Sequence, residues 1–201
     1  LVKNYQKDGI QWLRRLKNFC LGGILADDMG LGKTPQTIAA LSDVHLTDSS
    51  VPSSLIICPT SLVENWMVEI RKFQPRLVAS PLSGTPQERK KQLEQKSRPH
   101  VFIASYGLVQ KDLELLSKTP FSYVISDEGQ AIKNKETLTA RAVKDLQALH
   151  RLVLTGTPIE NSLDDLWSLF DFLMPGFLGS YDRFVRLYLK AGEGDKGKAL
   201  E

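Results

Sequence analysis

The stretch Asp27-Asp28-Met29-Gly30-Leu31-Gly32-Lys33-Thr34 constrains this chain more than any other. An apolar run from Gly23 to Ala26 leads into it and reads as a short buried strand. Thr37-Ile38-Ala39-Ala40-Leu41 follows, with helix-forming residues and an apolar face. Strand, glycine-bearing loop and helix together wrap backbone N–H groups around a phosphate chain. Gly32-Lys33-Thr34 matches the end of the phosphate-loop pattern, in which Lys reaches the terminal phosphates and Thr holds magnesium. The first glycine of that pattern would fall at position 27, where this chain has Asp27. Pro35 sits in the first helical turn, where a missing N–H costs little because those donors have no internal partner.

A chain of 201 residues can bury one sizeable core, alone or with a small appendage. Its net charge of +3 leans only weakly towards acidic partners. Cys20 and Cys58 are far apart and lack metal-ligand spacing, and His45, His100 and His150 are scattered. No disulfide framework is indicated, which fits a reducing interior compartment. No run approaches the ~20 apolar residues that a membrane-spanning helix needs. The chain starts at Leu1 and closes on a polar stretch, Gly192 to Glu201, so it reads as a piece of a longer protein.

Short apolar runs alternate with helical patterns along the rest of the chain. Tyr5 to Leu16 carries Ile10, Leu13 and Leu16 at helical spacing. Leu55 to Cys58 is a strand closed by Pro59, and Ser61 with Glu64 predicts a capping box for a helix from Leu62 to Phe73. Leu77 to Leu82, Val101 to Ala104, Tyr123 to Ser126 and Leu152 to Leu154 are further strand candidates. Helices are predicted at Pro86–Lys96, whose charge reads as a solvated face, at Gly107–Leu116, at Glu136–Leu149 and over the aromatic stretch Leu163–Phe177. This alternation predicts a parallel sheet covered on both faces. Ligands of such sheets sit outside the carboxyl ends of the strands, where Asp27, Pro59-Thr60, Ser105, Asp127-Glu128 and Thr155 all fall.

Asp127-Glu128 at a strand end supplies what a phosphate loop lacks for hydrolysis. One carboxylate suits a metal, and the other suits the attacking water. In Leu154-Thr155-Gly156-Thr157-Pro158, two hydroxyls flank a glycine and can couple the acidic pair to a neighbouring segment.

Taken together, these motifs resemble the first RecA-like lobe of a Swi/Snf-type ATPase, within helicase superfamily two. Tyr5-Gln6, with Gly9 and Trp12-Leu13, is similar to the family's opening segment; Asp27–Thr34 to motif I, where the family commonly has Asp at the first position; and Ile57–Trp66 to motif Ia. Ser105-Tyr106 resembles motif Ib, Asp127-Glu128-Gly129-Gln130 with Ile132-Lys133-Asn134 motif II and its tail, and Leu154–Asn161 motif III. Leu166 to Leu173 resembles the segment after it. Gly129 replaces the family's usual Ala, and Gln130 is the form more typical of prokaryotic members; Pro35 stands where an aliphatic residue is usual.

The resemblance implies an α/β fold: a RecA-like P-loop NTPase three-layer sandwich with a mainly parallel sheet and helices on both faces. Residues 1–180 would form the ATP-binding lobe, and 181–201 would begin the region leading to a second RecA-like lobe. ATP and Mg2+ would be the cofactors. Gln6, Asp27, Met29, Gly30, Leu31, Gly32, Lys33 and Thr34 would bind ATP, with Gln6 reading the adenine edge and Thr34 and Asp127 holding the metal. Lys33, Asp127, Glu128 and Gln130 would be catalytic, and Thr155, Gly156 and Thr157 would couple. Thr60, Ser61, Ser105, Tyr106 and Lys133 would meet double-stranded DNA along its backbone. The implied activity is ATP-driven translocation that remodels protein–DNA complexes without unwinding, in a bacterial or archaeal cytoplasm, or a nucleus in a eukaryote. Two alternatives stay open: a strand-separating DNA or RNA helicase, and a scaffold with a degenerate site. With no second lobe and no arginine finger, the chain alone is expected to bind ATP weakly and hydrolyse it very slowly.

Overall fold

The computed structural model describes residues 3–28, 30–157 and 163–189. Six strands form one sheet: β1 (Gly23–Leu25), β2 (Ser54–Cys58), β3 (Ala79–Pro81), β4 (Val101–Ser105), β5 (Phe121–Asp127) and β6 (Ala148–Leu154). Their spatial order is β1-β6-β5-β2-β4-β3, and every pairing is parallel. The sheet is therefore wholly parallel, and all six strands point their carboxyl ends to one edge.

Period-two alternation sorts the strand residues onto two faces. On one face, Ile56, Ile103, Ile125 and Leu154 pack against α1 (Asn4–Asn18), α2 (Lys33–His45) and α3 (Val63–Phe73) through Leu13, Ile38, Leu41, Trp66 and Ile70. On the other, Leu55, Ile57, Phe102, Val124 and Val153 meet α4 (Pro86–Glu94), α5 (Tyr106–Lys111), α6 (Leu113–Leu116), α7 (Leu138–Lys144) and α8 (Leu163–Leu173). Both faces are apolar, which is why the strands read as continuous hydrophobic runs. The three-layer expectation holds.

Several local expectations change. Ser61 caps nothing: Thr60–Leu62 is a 3-10 turn, and α3 starts from Leu62 without a side-chain cap. The capping box forms instead at Thr85 and Glu88, ahead of Pro86 at the first turn of α4. That helix is exposed along most of its length, as expected, with one charged exception. Arg89 is buried in a two-pronged pair with Asp112, 2.7 Å on its Nη2 prong, and also donates to the Gly84 carbonyl. Asp112 itself separates α5 from α6, so the continuous helix predicted over Gly107–Leu116 breaks there.

The helix predicted to reach Leu149 stops at Lys144. Arg151, reaching back from β6, donates to the carbonyls of Lys144, Leu146 and Phe172 and satisfies the helix end. Ala148 is then free to pair with Phe121, which lengthens β6 at its amino end. The aromatic stretch packs inward: Trp167, Leu169, Phe172 and Leu173 are buried beneath α8, while Phe177 stays exposed. The start of the 181–201 segment is helical, as α9 (Tyr181–Phe184) and a π-helical turn to Leu189.

Candidate nucleotide and nucleic-acid site

Strand order decides which motifs meet. The loop after β1 carries Asp27–Thr34, the exit of β6 carries Thr155-Gly156-Thr157, and β5 ends on Asp127. Because β6 lies between β1 and β5, the two threonines stand between the phosphate loop and the acidic pair. On the far side of β5 come β2, which leads to Thr60-Ser61, and β4, which leads to Ser105-Tyr106. Nucleotide motifs thus occupy one half of the edge and backbone-contact motifs the other, with Asp127 at the seam.

The phosphate loop is closed by its own residues. Gly32 has φ +86° as the residue before α2, and a Cβ there would lie 2.3 Å from Gln6 Nε2. Only glycine combines that left-handed backbone with so close a neighbour. Gln6 donates to the Leu31 carbonyl, which ties α1 to the loop. Lys33 Nζ donates to the carbonyls of Asp27 (2.6 Å) and Asp28 (3.3 Å), so the ammonium is drawn into the cradle formed by the loop. The out-of-pattern Asp27 has a structural task. Its carboxylate accepts from Nε2 of Gln36 at 2.8 Å, and Gln36 is 1% exposed and also donates to the Gly32 carbonyl. Gln36 carried no signal in the sequence, because a lone glutamine on a helix looks solvated. Met29 lies outside the described residues.

The acidic strand end is held by distant elements. Asp127 Oδ2 accepts from the indole Nε1 of Trp66 on α3 at 2.7 Å, and Oδ1 accepts from the backbone N–H of Glu128 at 2.9 Å. Burial raises the Asp127 pKa above the usual carboxylate value, against the opposing pull of the Trp66 and Glu128 hydrogen bonds and of Lys33. Glu128 has φ +55° and ψ +61°, a left-handed conformation that costs a non-glycine residue about 1–2 kcal/mol. Its carboxylate accepts from Nε2 of Gln130 at 2.6 Å. Gln130 is thus engaged with Glu128, and the Thr155 hydroxyl oxygen accepts instead from the backbone N–H of Thr157 at 3.2 Å. A Cβ at Gly129 would lie 2.4 Å from Val153 Cγ1, so the family's usual alanine does not fit this backbone without a shift.

Of the five residues expected on DNA, one points elsewhere. The Tyr106 hydroxyl turns inward, donating to the Asp127 carbonyl at 2.6 Å, with Ser126 Oγ 2.7 Å away. Its single proton is committed, and burial raises its pKa well above that of a free phenol. Lys133 is only 7% exposed, next to Ile132, whose carbonyl accepts from the Ser168 hydroxyl on α8. Thr60 and Ser61 remain exposed in their 3-10 turn, and Ser105 caps α5 by accepting from the Leu108 N–H, which leaves its own O–H available. The structure also brings in Trp66, matched within motif Ia but given no role there, and Ser126, because hydrogen bonds between distant elements leave no local pattern.

Thr34 and Asp127 offer hard oxygen donors, which suit Mg2+ better than a softer cation. Among the described residues no cluster of three or more His, Cys, Asp or Glu side chains forms a metal cage. Mg2+ tolerates that scarcity, since phosphates and waters complete its octahedron.

A wholly parallel sheet with a glycine loop, an acidic pair and a Thr-Gly-Thr turn at neighbouring carboxyl ends defines a RecA-like P-loop nucleotide-binding lobe. The chain belongs to the SNF2-related domain family, whose model matches residues 5–199. It is 44% identical over 200 residues to TATA-binding protein-associated factor MOT1 of Saccharomyces cerevisiae, covering 94% of this chain and 11% of that protein. An uncharacterized ATP-dependent helicase of Mycoplasma pneumoniae is 42% identical over 189 residues, covering 94% of this chain and 18% of its own length. The Sulfolobus solfataricus SWI2/SNF2 ATPase core in complex with dsDNA superposes with a TM-score of 0.86 at 38% identity, over 96% of this chain and 40% of that one. The chain therefore spans a small part of the curated relatives it matches. No helix among the described residues is long and apolar enough to cross a membrane.

Proposed function

We propose that the chain is the ATP-binding lobe, residues 1–180, of an ATP-dependent double-stranded DNA translocase that remodels protein–DNA complexes without unwinding the duplex. Residues 181–201 begin the connection to a second RecA-like lobe, and ATP binds in the cleft between the two. The carrying observation is the arrangement along the sheet edge, with Lys33, Thr155 and Asp127-Glu128 on adjacent strand ends and Thr60-Ser61 and Ser105 beyond them. The solved relative bound to dsDNA, and relatives named for association with TATA-binding protein, support duplex DNA and a DNA-bound protein as partners.

In this reading Lys33 leaves the Asp27 and Asp28 carbonyls to meet the terminal phosphates, and Gln6 faces the adenine. Thr34 and Asp127 hold Mg2+, which supplies positive charge against the phosphates when bound. Glu128 orients the attacking water and takes its proton, with Gln130 fixing the carboxylate. Thr60, Ser61 and Ser105 donate to backbone phosphates, which carry no sequence information and so suit movement along any sequence.

The test is ATPase activity of the full-length polypeptide with duplex DNA, single-stranded DNA and RNA, beside a strand-displacement assay. Duplex should stimulate most and no strand should be displaced. Unwinding, or preference for RNA, would instead assign a strand-separating helicase. Lys33→Ala and Glu128→Gln should each lower the rate by about 10²- to 10⁴-fold; activity untouched by both would support a non-enzymatic scaffold.

A further inference from the structure

We infer that Trp66 is a positioning residue for the metal-binding carboxylate, and that its indole N–H links the turn carrying Thr60 and Ser61, read as DNA contacts, to the nucleotide half of the site. This rests on the reading of Asp127 as a metal ligand, and adds to it a route by which duplex DNA acts on that ligand.

Asp127 is suspended from the segments that follow β2 and β4, two successive strands on one side of β5. Trp66 Nε1 donates to its Oδ2, and the Tyr106 hydroxyl donates to its main-chain carbonyl. Trp66 lies in the first turn of α3, the helix that grows directly out of the 3-10 turn carrying Thr60 and Ser61. Tyr106 directly follows Ser105. Ser105 is thus one residue, and Ser61 and Thr60 are five and six residues, from a side chain that hydrogen-bonds Asp127.

The two bonds differ in kind. The Tyr106 bond fixes the main chain of Asp127 and leaves the carboxylate alone. The Trp66 bond occupies a carboxylate oxygen and, with the Glu128 N–H on the other oxygen, sets the plane of the group. A neutral N–H on an ionised oxygen is a charge-assisted bond, strong and directional. Since a carboxylate oxygen has two lone pairs, Trp66 can hold one while a cation takes the other. Trp66 is 2% exposed, in the core cluster that also holds Ile56, Cys58 and Ile125, so its ring has little room to swing aside and moves with α3. Displacement of the Thr60–Leu62 turn by a duplex would therefore reorient the Asp127 carboxylate. Groups that orient metal ligands from behind typically change metal affinity by about 10- to 100-fold when removed.

Trp66→Phe, which keeps an aromatic ring and deletes the N–H, tests this in the full-length polypeptide. The Mg2+ concentration for half-maximal ATPase should rise about tenfold, and stimulation by duplex should fall, while Tyr106→Phe should leave Mg2+ dependence within about twofold. A folded Trp66→Phe protein with wild-type Mg2+ dependence and stimulation overturns the inference. Independently of activity and of any substitution, the Trp66 indole 15N–1H resonance should move when Mg2+ and a non-hydrolysable ATP analogue are added, and again with duplex. A stationary resonance overturns it even where the variant does not fold. Asp127→Asn separates the two ideas: if it leaves Mg2+-dependent ATPase intact, the metal-ligand reading itself has failed.

Discussion

In the phosphate loop, Lys33 and Gln36 bond to groups six and nine residues away, on Asp27, and Gln6 of α1 adds one longer tie, to the Leu31 carbonyl. At the acidic strand end, Asp127 is held by Tyr106 and Trp66, 21 and 61 residues distant. In the proposed function both regions face the same nucleotide, yet the first is mostly local and the second exists only when β2, β4 and β5 lie side by side. A local loop tolerates damage elsewhere in the fold. An assembled carboxylate inherits every disturbance of the helices that hold it.

The sharpest way to probe this contrast is to supply both regions and nothing else. The 201-residue chain alone should hydrolyse ATP about 10³- to 10⁵-fold more slowly than the two-lobed polypeptide, because arginine fingers act from across the cleft. Steady-state turnover with duplex measures it, and brisk turnover by the single lobe would show that its own residues suffice.

Breaking Arg89–Asp112 attacks the assembled region from a distance, since Asp112 ends the helix that carries Tyr106. Arg89→Ala strands a buried carboxylate and should cost about 3–5 kcal/mol in denaturant unfolding. ATP-analogue binding by protein that stays folded should be less affected, if the phosphate loop is as self-contained as its bonds indicate.

Gly129→Ala tests the space beside Glu128. The new methyl overlaps Val153, so stability should fall by about 1–3 kcal/mol, and Val153→Ala in the same chain should recover part of it. Full tolerance of the single change would mean that the strand end adapts as readily as a loop.

The last test lies away from both regions. His45 hydrogen-bonds Ser54 and stacks on His100 at 5.6 Å; burial first, then the His100 charge, lowers its pKa to about 4. The unfolded chain takes up that proton near pH 6.5 and the folded chain does not. Stability from this site is therefore complete above pH 6.5 and declines as pH falls towards 4. Thermal melts across that window should show the decline, and His45→Gln should flatten it without altering ATP-analogue binding.

The sequence by itself determined the alternation of apolar runs and helices, the parallel sheet, the phosphate loop and the Asp-Glu pair. Those signals are periodic or contiguous, so they are written within one or two elements. It read Pro86–Lys96 as solvated, which holds for most of that stretch, but missed the burial of Arg89 because a charged residue shows no sign of the partner that buries it, here Asp112. It carried Tyr106 to the DNA side because a motif names residue types and not the direction in which a side chain turns. Only the tertiary structure decided that Asp27 serves Gln36, that Tyr106 points inward, and that Trp66 reaches Asp127. Hydrogen bonds across neighbouring strands depend on strand order, and strand order is set by how the whole sheet buries its two faces.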